Sequence, residues 1–143
     1  MSRFVVDASV VAKWYVPEIL SAEARRFLGA GHHLVAPDLL GPELSNVLWK
    51  KVRRGEISLD EGREALIAFE AAPVQIVQSA PLLLPAYEAG VLLGRSAYGS
   101  LYLVLAIQLG FPVVTADRRF YNAIRGSLYA GSIEWLEDVA GLM

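Results

Sequence analysis

Apolar and polar positions along the chain follow two different periods, and the changes between them mark the predicted elements. Short runs of β-branched and apolar residues that end in a polar turn predict buried strands at residues 3–6 and 112–115. Weaker runs of the same kind predict strands at 33–36, 74–77 and 132–136. The chain is therefore expected to contain several short strands distributed over its whole length.

Between these strands the apolar positions recur with a helical period. Some predicted ends carry capping signals: Ser58 and Glu61 form a capping box, Ser79 precedes Pro81, and Gly110 follows the last apolar residue of a helix. The predicted helices span residues 18–29, 40–54, 59–71, 81–94 and 98–109, with a short helix after Asp117. Strands that alternate with helices predict an α/β fold, with a parallel sheet covered on both faces.

The composition limits the organisation and the chemistry. A chain of 143 residues without repeat or linker suits one domain, predicted over residues 1–143. No apolar run is long enough to span a bilayer and no leader pattern is visible, so we expect a cytoplasmic protein without a membrane segment. The absence of cysteine excludes thiolate ligands, and the net charge of −2 argues against a broad basic surface. Any metal should therefore bind through oxygen, and any nucleic acid through local basic groups.

Two acids stand at the carboxyl ends of predicted strands. Asp7 follows the first strand and Asp117 follows the strand at 112–115, so both would lie at the edge of a parallel sheet where ligands bind. Each acid on its own is explained equally well as a helix N-cap.

A third acid, Glu43, opens the helix at 40–54. Glu43, Asn46 and Lys50 are three and four residues apart and form a polar stripe beside an apolar face. The stripe fits the lining of a cleft, and it also fits an ordinary solvated helix face in which Glu43 complements the helix dipole.

Together the acids favour a metal site. Two carboxylates about 5 Å apart repel by roughly 3 kcal/mol at an effective dielectric of 20, so a cluster needs a proton, a basic partner or a cation. Oxygen ligands favour Mg²⁺ or Mn²⁺, which can orient water at a phosphate. Ser9, Asn46 and Thr115 are candidate supporting groups.

Four segments, at residues 5–9, 42–46, 96–106 and 114–120, resemble in order and spacing the motifs of PIN-domain proteins, in particular the VapC-type toxins of prokaryotic toxin–antitoxin pairs. The resemblance implies a three-layer α/β/α sandwich with a mostly parallel five-stranded sheet. It also implies a Mg²⁺- or Mn²⁺-dependent endoribonuclease, a homodimer and a VapB-type antitoxin that covers the acidic cleft.

Carried over by position, the resemblance makes Asp7, Glu43 and Asp117 the metal-binding catalytic acids, with Ser9, Asn46 and Thr115 as supporting residues of the metal site. Among the local basic groups, Arg118 and Lys50 are the predicted contacts to RNA phosphates.

Gly99 departs from the family pattern, which has an acidic metal ligand at this position. Glycine removes a charge and an oxygen ligand, so we expect weaker metal binding and impaired cleavage. A change introduced in cloning, natural decay, or a site that works with the remaining acids would each explain it. The alternative function is an inactive PIN-like module that binds an antitoxin or RNA without cutting. A phosphoacceptor domain fits the sheet but not the helix of Glu43.

Overall fold

The computed structural model describes residues 2–140 and contains a five-stranded sheet whose strands are all parallel. The strands are β1 (Arg3–Val6), β2 (His33–Pro37), β3 (Val74–Val77), β4 (Val113–Thr115) and β5 (Ile133–Trp135). Their order in the sheet is β3-β2-β1-β4-β5. The predicted α/β class is confirmed, while residues 1 and 141–143 of the predicted domain lie outside the described residues.

Helices connect and cover these strands. They are α1 (Ala8–Tyr15), α2 (Ser21–Gly29), α3 (Leu40–Arg53), α4 (Leu59–Phe69), α5 (Leu83–Leu93), α6 (Ala97–Leu109), α7 (Arg118–Arg125) and α8 (Leu136–Ala140), with 3₁₀ turns at Ala80–Leu82 and Ala130–Ser132. The periodicity did not predict α1 and α8. Helix α1 buries most of its apolar residues and shows no clear polar face, whereas the five residues of α8 are too few to show a helical period.

The layers follow from the direction in which the chain crosses the sheet. From β1 the strands proceed one way to β2 and β3, and the connection through α5 and α6 then returns to β4 on the other side of β1. Helices α1 to α4 pack together, α8 packs on α2, and α5 packs on α6 against the sheet. The direction therefore reverses between β1 and β4, and in α/β sheets such a reversal opens a crevice at the carboxyl ends of the strands.

Helix α6 forms the centre of its layer. Every residue from Ser100 to Ala106 is buried, so its exposed residues are confined to the two ends. Ser96 caps the start of α6 through the amide of Gly99, and Gly110 ends it in the left-handed conformation with φ of 79°. The first turn of α6 is thereby held at the carboxyl edge of the sheet, beside the crevice.

Other capping predictions can be compared with the structure. The capping box of Ser58 and Glu61 is present with both of its hydrogen bonds. Ser79 makes no side-chain cap, because a 3₁₀ turn leads into α5 instead of a regular first helical turn.

No single helix among residues 2–140 is both long enough and apolar enough to cross a membrane. The segments Ala80–Leu93 and Ala97–Leu109 are long and apolar enough only when taken together, and the chain bends by 112° between them.

Candidate active site

Asp7 lies at the point where β1 passes into α1, and its side chain is almost fully buried. Its Oδ1 accepts hydrogen bonds from the Ser9 hydroxyl at 2.6 Å and from the amides of Ser9 and Val10 at 3.1 and 3.3 Å. Its Oδ2 accepts a hydrogen bond from the hydroxyl of Thr115 at 2.6 Å. Asp7 is therefore the N-cap of α1 and, at the same time, a carboxylate fixed in one orientation.

Hydroxyl groups tie the two central strands together behind Asp7. The Ser9 Oγ accepts a hydrogen bond from the amide of Ala116 at 2.9 Å, and the Thr115 Oγ1 accepts one from the amide of Asp117 at 3.0 Å. Thr115 is completely buried, so it reaches the site only through Asp7 and the backbone. Ser9 and Thr115 thus hold the ends of β1 and β4 in a fixed relation.

Asp117 occupies the equivalent position after β4. Its Oδ1 accepts hydrogen bonds from the amides of Arg119 and Phe120 at 3.0 and 3.3 Å, so it caps α7 as Asp7 caps α1. In contrast to Asp7, Asp117 is exposed. Each aspartate can be both a helix N-cap and a residue of the site, because only its Oδ1 atom accepts the backbone hydrogen bonds of the cap.

Glu43 approaches the same place from α3. Its Oε1 accepts a hydrogen bond of 2.5 Å from the hydroxyl of Tyr102, which lies on α6 and is only 2% exposed. Glu43 is half-buried and is not the free, solvated side chain of an ordinary helix surface. Tyr102 therefore sets the orientation of an acid that is 59 positions away in the sequence.

These acids line one cleft of about 350 Å³. Side chains from α1, α3, α6, α7 and the loop before α6 surround it. Its lining residues are Asp7, Ala8, Ser9, Glu43, Asn46, Val47, Lys50, Arg95, Ser96, Tyr98, Gly99, Tyr102, Asp117 and Phe120. The polar stripe of α3 therefore lines the same cleft as the two strand-end acids. The sequence alone was also compatible with a solvated helix face.

The cleft raises the pKa values of its buried acids. Burial raises the pKa of Asp7 to about 6, although hydrogen bonds from Ser9, Thr115 and the amide of Val10 lower it; the charge of Asp117 raises it further. Burial also raises the pKa of Glu43, against the opposing effect of the Tyr102 hydrogen bond. The same burial and the charge of Glu43 raise the pKa of Tyr102, so its hydroxyl remains a donor.

The three acids of the cleft are not neutralised by basic side chains of the described residues. Within residues 2–140, no ion pair includes Asp7, Glu43 or Asp117. Lys50 and Arg95 line the cleft walls, but neither forms an ion pair with another described residue. Within the described part of the chain, the acids thus have neighbouring hydrogen-bond donors and no cationic side chain paired with them.

The structure does not bring the predicted RNA contact Arg118 into the cleft. Its guanidinium carbon lies 3.7 Å from the centre of the Trp135 ring and 5.6 Å from that of Tyr121. Trp135 is the last residue of β5 and Tyr121 lies on α7, and Arg118 stacks on these rings and does not line the cleft. Arg95, which no sequence pattern indicated, lines the cleft instead.

Gly99 lies on the cleft wall in the first turn of α6, at the position where the resemblance predicts an acid. A Cβ atom built at this position would approach the Phe120 ring to 3.6 Å, an ordinary van der Waals contact. The φ angle of Gly99 is not positive. Neither space nor backbone conformation therefore requires glycine here.

The acids are also too few or too far apart to enclose a metal by themselves. Among residues 2–140, no group of three or more His, Asp or Glu side chains is close enough to hold a metal ion. The prediction that Asp7, Glu43 and Asp117 together bind the metal stays a prediction, since the structure shows only that they line the same cleft.

Comparison with known proteins places the chain in a family. The PIN domain model matches residues 4–125. Ribonuclease VapC3 of Pyrobaculum aerophilum is 35% identical over 120 residues, which are 82% of this chain and 91% of that protein.

Solved structures share the fold. The crystal structure of PAE2754 from Pyrobaculum aerophilum matches with a TM-score of 0.75 at 22% identity, over 99% of this chain and 88% of the other. VapC20 of Mycobacterium tuberculosis, described as a sarcin-ricin loop cleaving toxin, matches with a TM-score of 0.66 at 16% identity, over 88% and 97%. These two likenesses concern the fold, whereas the match over residues 4–125 shows that the chain belongs to the PIN domain family.

Proposed function

We propose that this chain is a VapC-like endoribonuclease toxin that hydrolyses RNA phosphodiester bonds with Mg²⁺ or Mn²⁺ and is impaired by Gly99. The observation that carries the proposal is the cleft itself, which collects Asp7, Glu43 and Asp117 from three elements without a compensating cationic partner among residues 2–140. The 35% identity to a ribonuclease named VapC3 supports the reaction class.

The residues present fit a hard divalent cation. The acids provide oxygen ligands only, and burial together with the neighbouring charge of Asp117 raises the pKa of Asp7, which a cation would reverse. Asp7, Glu43 and Asp117 would hold the ion, and Ser9, Asn46 and Thr115 would support these ligands. When bound, such a cation stabilises negative charge on a phosphate and makes water a better nucleophile.

The protein itself orients these groups. Ser9 and Thr115 fix the Asp7 carboxylate, and Tyr102 fixes that of Glu43, so little reorganisation is needed when the substrate enters. Lys50 of α3 and Arg95 of the loop before α6 both line the cleft and would bind phosphates next to the bond that is cut.

The effect of Gly99 can be tested because the structure leaves room for a side chain. We would compare the parent chain with Gly99→Asp and with the matched control Gly99→Ala, which adds a Cβ atom and no charge. The panel of RNAs would include a sarcin–ricin stem-loop and unstructured oligonucleotides, each with Mn²⁺, with Mg²⁺ or with EDTA. We expect Gly99→Asp to cleave at least about tenfold faster than the parent, since a carboxylate ligand contributes on the order of 1.4 kcal/mol or more.

The control separates charge from helix stability. Gly99→Ala should stabilise the fold by up to about 1 kcal/mol through helix propensity and leave cleavage unchanged. A failure of both the parent and Gly99→Asp to cut any RNA with either metal would contradict the proposal, provided that circular dichroism shows folded protein.

The second candidate function is the inactive binding module, which Gly99 and the lack of a three-acid group favour. It predicts that the parent binds RNA or an antitoxin with no turnover at any metal concentration. Turnover by the parent that EDTA abolishes would exclude this candidate.

We propose that the protein partner is a VapB-type antitoxin, and a groove beside the cleft supports it. The groove, of about 300 Å³, lies between α3 and α4 and is lined by Ser45, Leu48, Trp49, Val52, Leu59, Gly62, Arg63 and Leu66. Trp49 and Leu59 are more than half exposed there. Because the opposite side of α3 carries Glu43 and Lys50, an apolar segment in this groove can continue over α3 into the cleft. Trp49→Ala should weaken antitoxin binding and leave RNA cleavage unchanged.

We further propose that the chain forms a homodimer through α5, in the cytoplasm. Helix α5 exposes Leu83, Leu84, Tyr87, Val91 and Leu92 as an apolar surface, whereas its residues Ala86, Ala89 and Gly90 are buried. Val91→Glu should shift the protein from dimer to monomer in sedimentation velocity, and a parent that sediments as a monomer at high concentration would contradict the proposal.

A further inference from the structure

Tyr98 is an exposed aromatic ring on the rim of the acidic cleft. It lies on the first turn of α6 and is 65% exposed, whereas Tyr102 and Phe120, which line the same cleft, are 2% and 5% exposed. Those two rings belong to the packed floor and wall. Among residues 2–140, the Tyr98 side chain makes no hydrogen bond and no ring stacking, so the packing of the fold does not account for its position.

Positive groups accompany this ring. Arg95 lies three residues earlier on the same wall, with its guanidinium carbon 6.0 Å from the centre of the Phe120 ring. Lys50 of α3 lines the same cleft. A flat apolar ring beside cationic groups, above a set of acids, matches the chemistry of a nucleotide, in which an apolar base is attached to a charged phosphate.

We propose that Tyr98 is a stacking platform for one unpaired nucleobase next to the bond that is cut, and that Arg95 contacts the phosphate of that nucleotide. The inference rests on the proposed function and adds a substrate subsite to it. Because every base has a π-face, this subsite selects unpaired over paired RNA, and it does not read base identity.

Exposure alone would not justify this role. Tyr87 is exposed to almost the same extent, 63%, but it lies on α5 and does not line the cleft. Only the location beside the acids and Arg95 distinguishes Tyr98. Tyr87 therefore provides a matched control for the loss of an exposed tyrosine. Because Tyr87 also lies on the proposed dimer surface of α5, sedimentation velocity checks that Tyr87→Ala keeps the oligomeric state of the parent.

The experiment measures the binding of fluorescein-labelled, unstructured RNA by anisotropy in Ca²⁺, with gels to verify that the probe stays intact. The proteins are the parent, Tyr98→Ala, Tyr98→Phe and Tyr87→Ala. Tyr98→Ala should raise Kd about tenfold, because stacking on one base is worth about 1–3 kcal/mol. Tyr98→Phe keeps the ring and should stay within about twofold, as should Tyr87→Ala.

A second set of probes makes the readout specific for stacking. In each probe one base is replaced by an abasic residue, which keeps every phosphate. The parent should bind the probe that lacks the stacked base about tenfold more weakly, and Tyr98→Ala should not discriminate between this probe and the intact one.

The failures are distinguishable. If Tyr98→Ala binds intact RNA as the parent does while Arg95→Ala and Lys50→Ala bind it weakly, the stacking subsite is excluded and the nuclease proposal stands. Equal weakening of Tyr98→Ala on intact and abasic probes would likewise exclude stacking. If Tyr98→Ala loses antitoxin binding only, the ring is a protein contact. A parent chain that binds no RNA would overturn both proposals.

Discussion

Two carboxylates in this molecule, the half-buried Glu18 and the buried Asp7, have opposite electrostatic surroundings. Glu18, in the connection between α1 and α2, pairs with Lys13 at 3.1 Å and with Lys51 of α3. Burial alone would raise the pKa of Glu18, but the hydrogen bonds and charges of the two lysines lower it below its ordinary value. Asp7 has no cationic partner among the described residues, and burial raises its pKa to about 6.

The difference separates a structural acid from a functional one. The lysines around Glu18 join three elements and complete its charge within the fold, so nothing further has to bind. Asp7 is fully hydrogen-bonded by Ser9 and Thr115 but remains electrostatically uncompensated. Such a group costs stability and is retained where a ligand supplies the missing charge. The following predictions test this contrast.

The largest effect should come from Asp7→Asn, which keeps the shape and removes the charge. In a Gly99→Asp background, we expect RNA cleavage to fall by about a thousandfold, several kcal/mol of charge stabilisation. Mn²⁺ should raise the melting temperature of the background protein and not that of the Asp7→Asn variant. Glu18→Gln, the matched variant at the structural acid, should cleave RNA normally; equal losses in both variants would abolish the distinction.

The dependence of stability on pH should have opposite signs at the two acids. Asp7 has a raised pKa, so its contribution is fully present below its ordinary pKa of 3.8 and is lost as the pH rises through about 6. Relative to Asp7→Asn, the parent should lose up to about 3 kcal/mol between acidic and neutral pH without metal.

Glu18 has a lowered pKa, so its contribution is present above its ordinary pKa of 4.5 and is lost as the pH falls through the lower folded value. Urea unfolding of the parent, Asp7→Asn and Glu18→Gln between acidic and neutral pH measures both slopes. Slopes of the same sign would show that the two sites do not differ electrostatically.

A smaller effect concerns stability at neutral pH. Glu18→Gln should destabilise the fold by about 1–2 kcal/mol, because Lys13 and Lys51 lose a charged acceptor that is partly shielded from water. The Ser21 side chain, which bonds the Glu18 amide and the Val16 carbonyl, should keep the connection in place. Thermal unfolding of this variant against Glu23→Gln, an acid in a single, weaker pair, provides the comparison.

The smallest predicted effect is that of Tyr102→Phe, which removes the donor to Glu43 and keeps the ring. Loss of one hydrogen bond of this kind is worth about 1 kcal/mol, so Mn²⁺ affinity and cleavage should each fall about fivefold. Calorimetric titration and single-turnover cleavage measure both. A change in melting temperature with unchanged Mn²⁺ affinity would show that Tyr102 acts only in packing.

Much of the fold can be predicted from local sequence patterns, and the elements that these patterns missed have a clear physical cause. The predicted strands agree with β1 to β5 within one or two residues, since β-branched runs between polar turns are short-range signals. The periodicity did not show helix α1, for which Asp7 was a candidate N-cap, because Ala8, Val10, Val11, Ala12 and Trp14 are all buried and leave no polar period. A helix that is covered on most sides is visible only once its neighbours are in place.

The sequence by itself determined the parallel α/β class, the position of Asp7 and Asp117 at strand ends, and the glycine at an expected acidic position. These depend on neighbouring residues, on caps and on the order of motifs. Tertiary structure alone decided that Thr115 holds Asp7 across 108 positions, that Tyr102 holds Glu43, that Arg95 enters the cleft and that Arg118 stacks on Trp135 instead. Such contacts depend on the packing of helices against the sheet and on the final direction of long side chains, which no local spacing encodes.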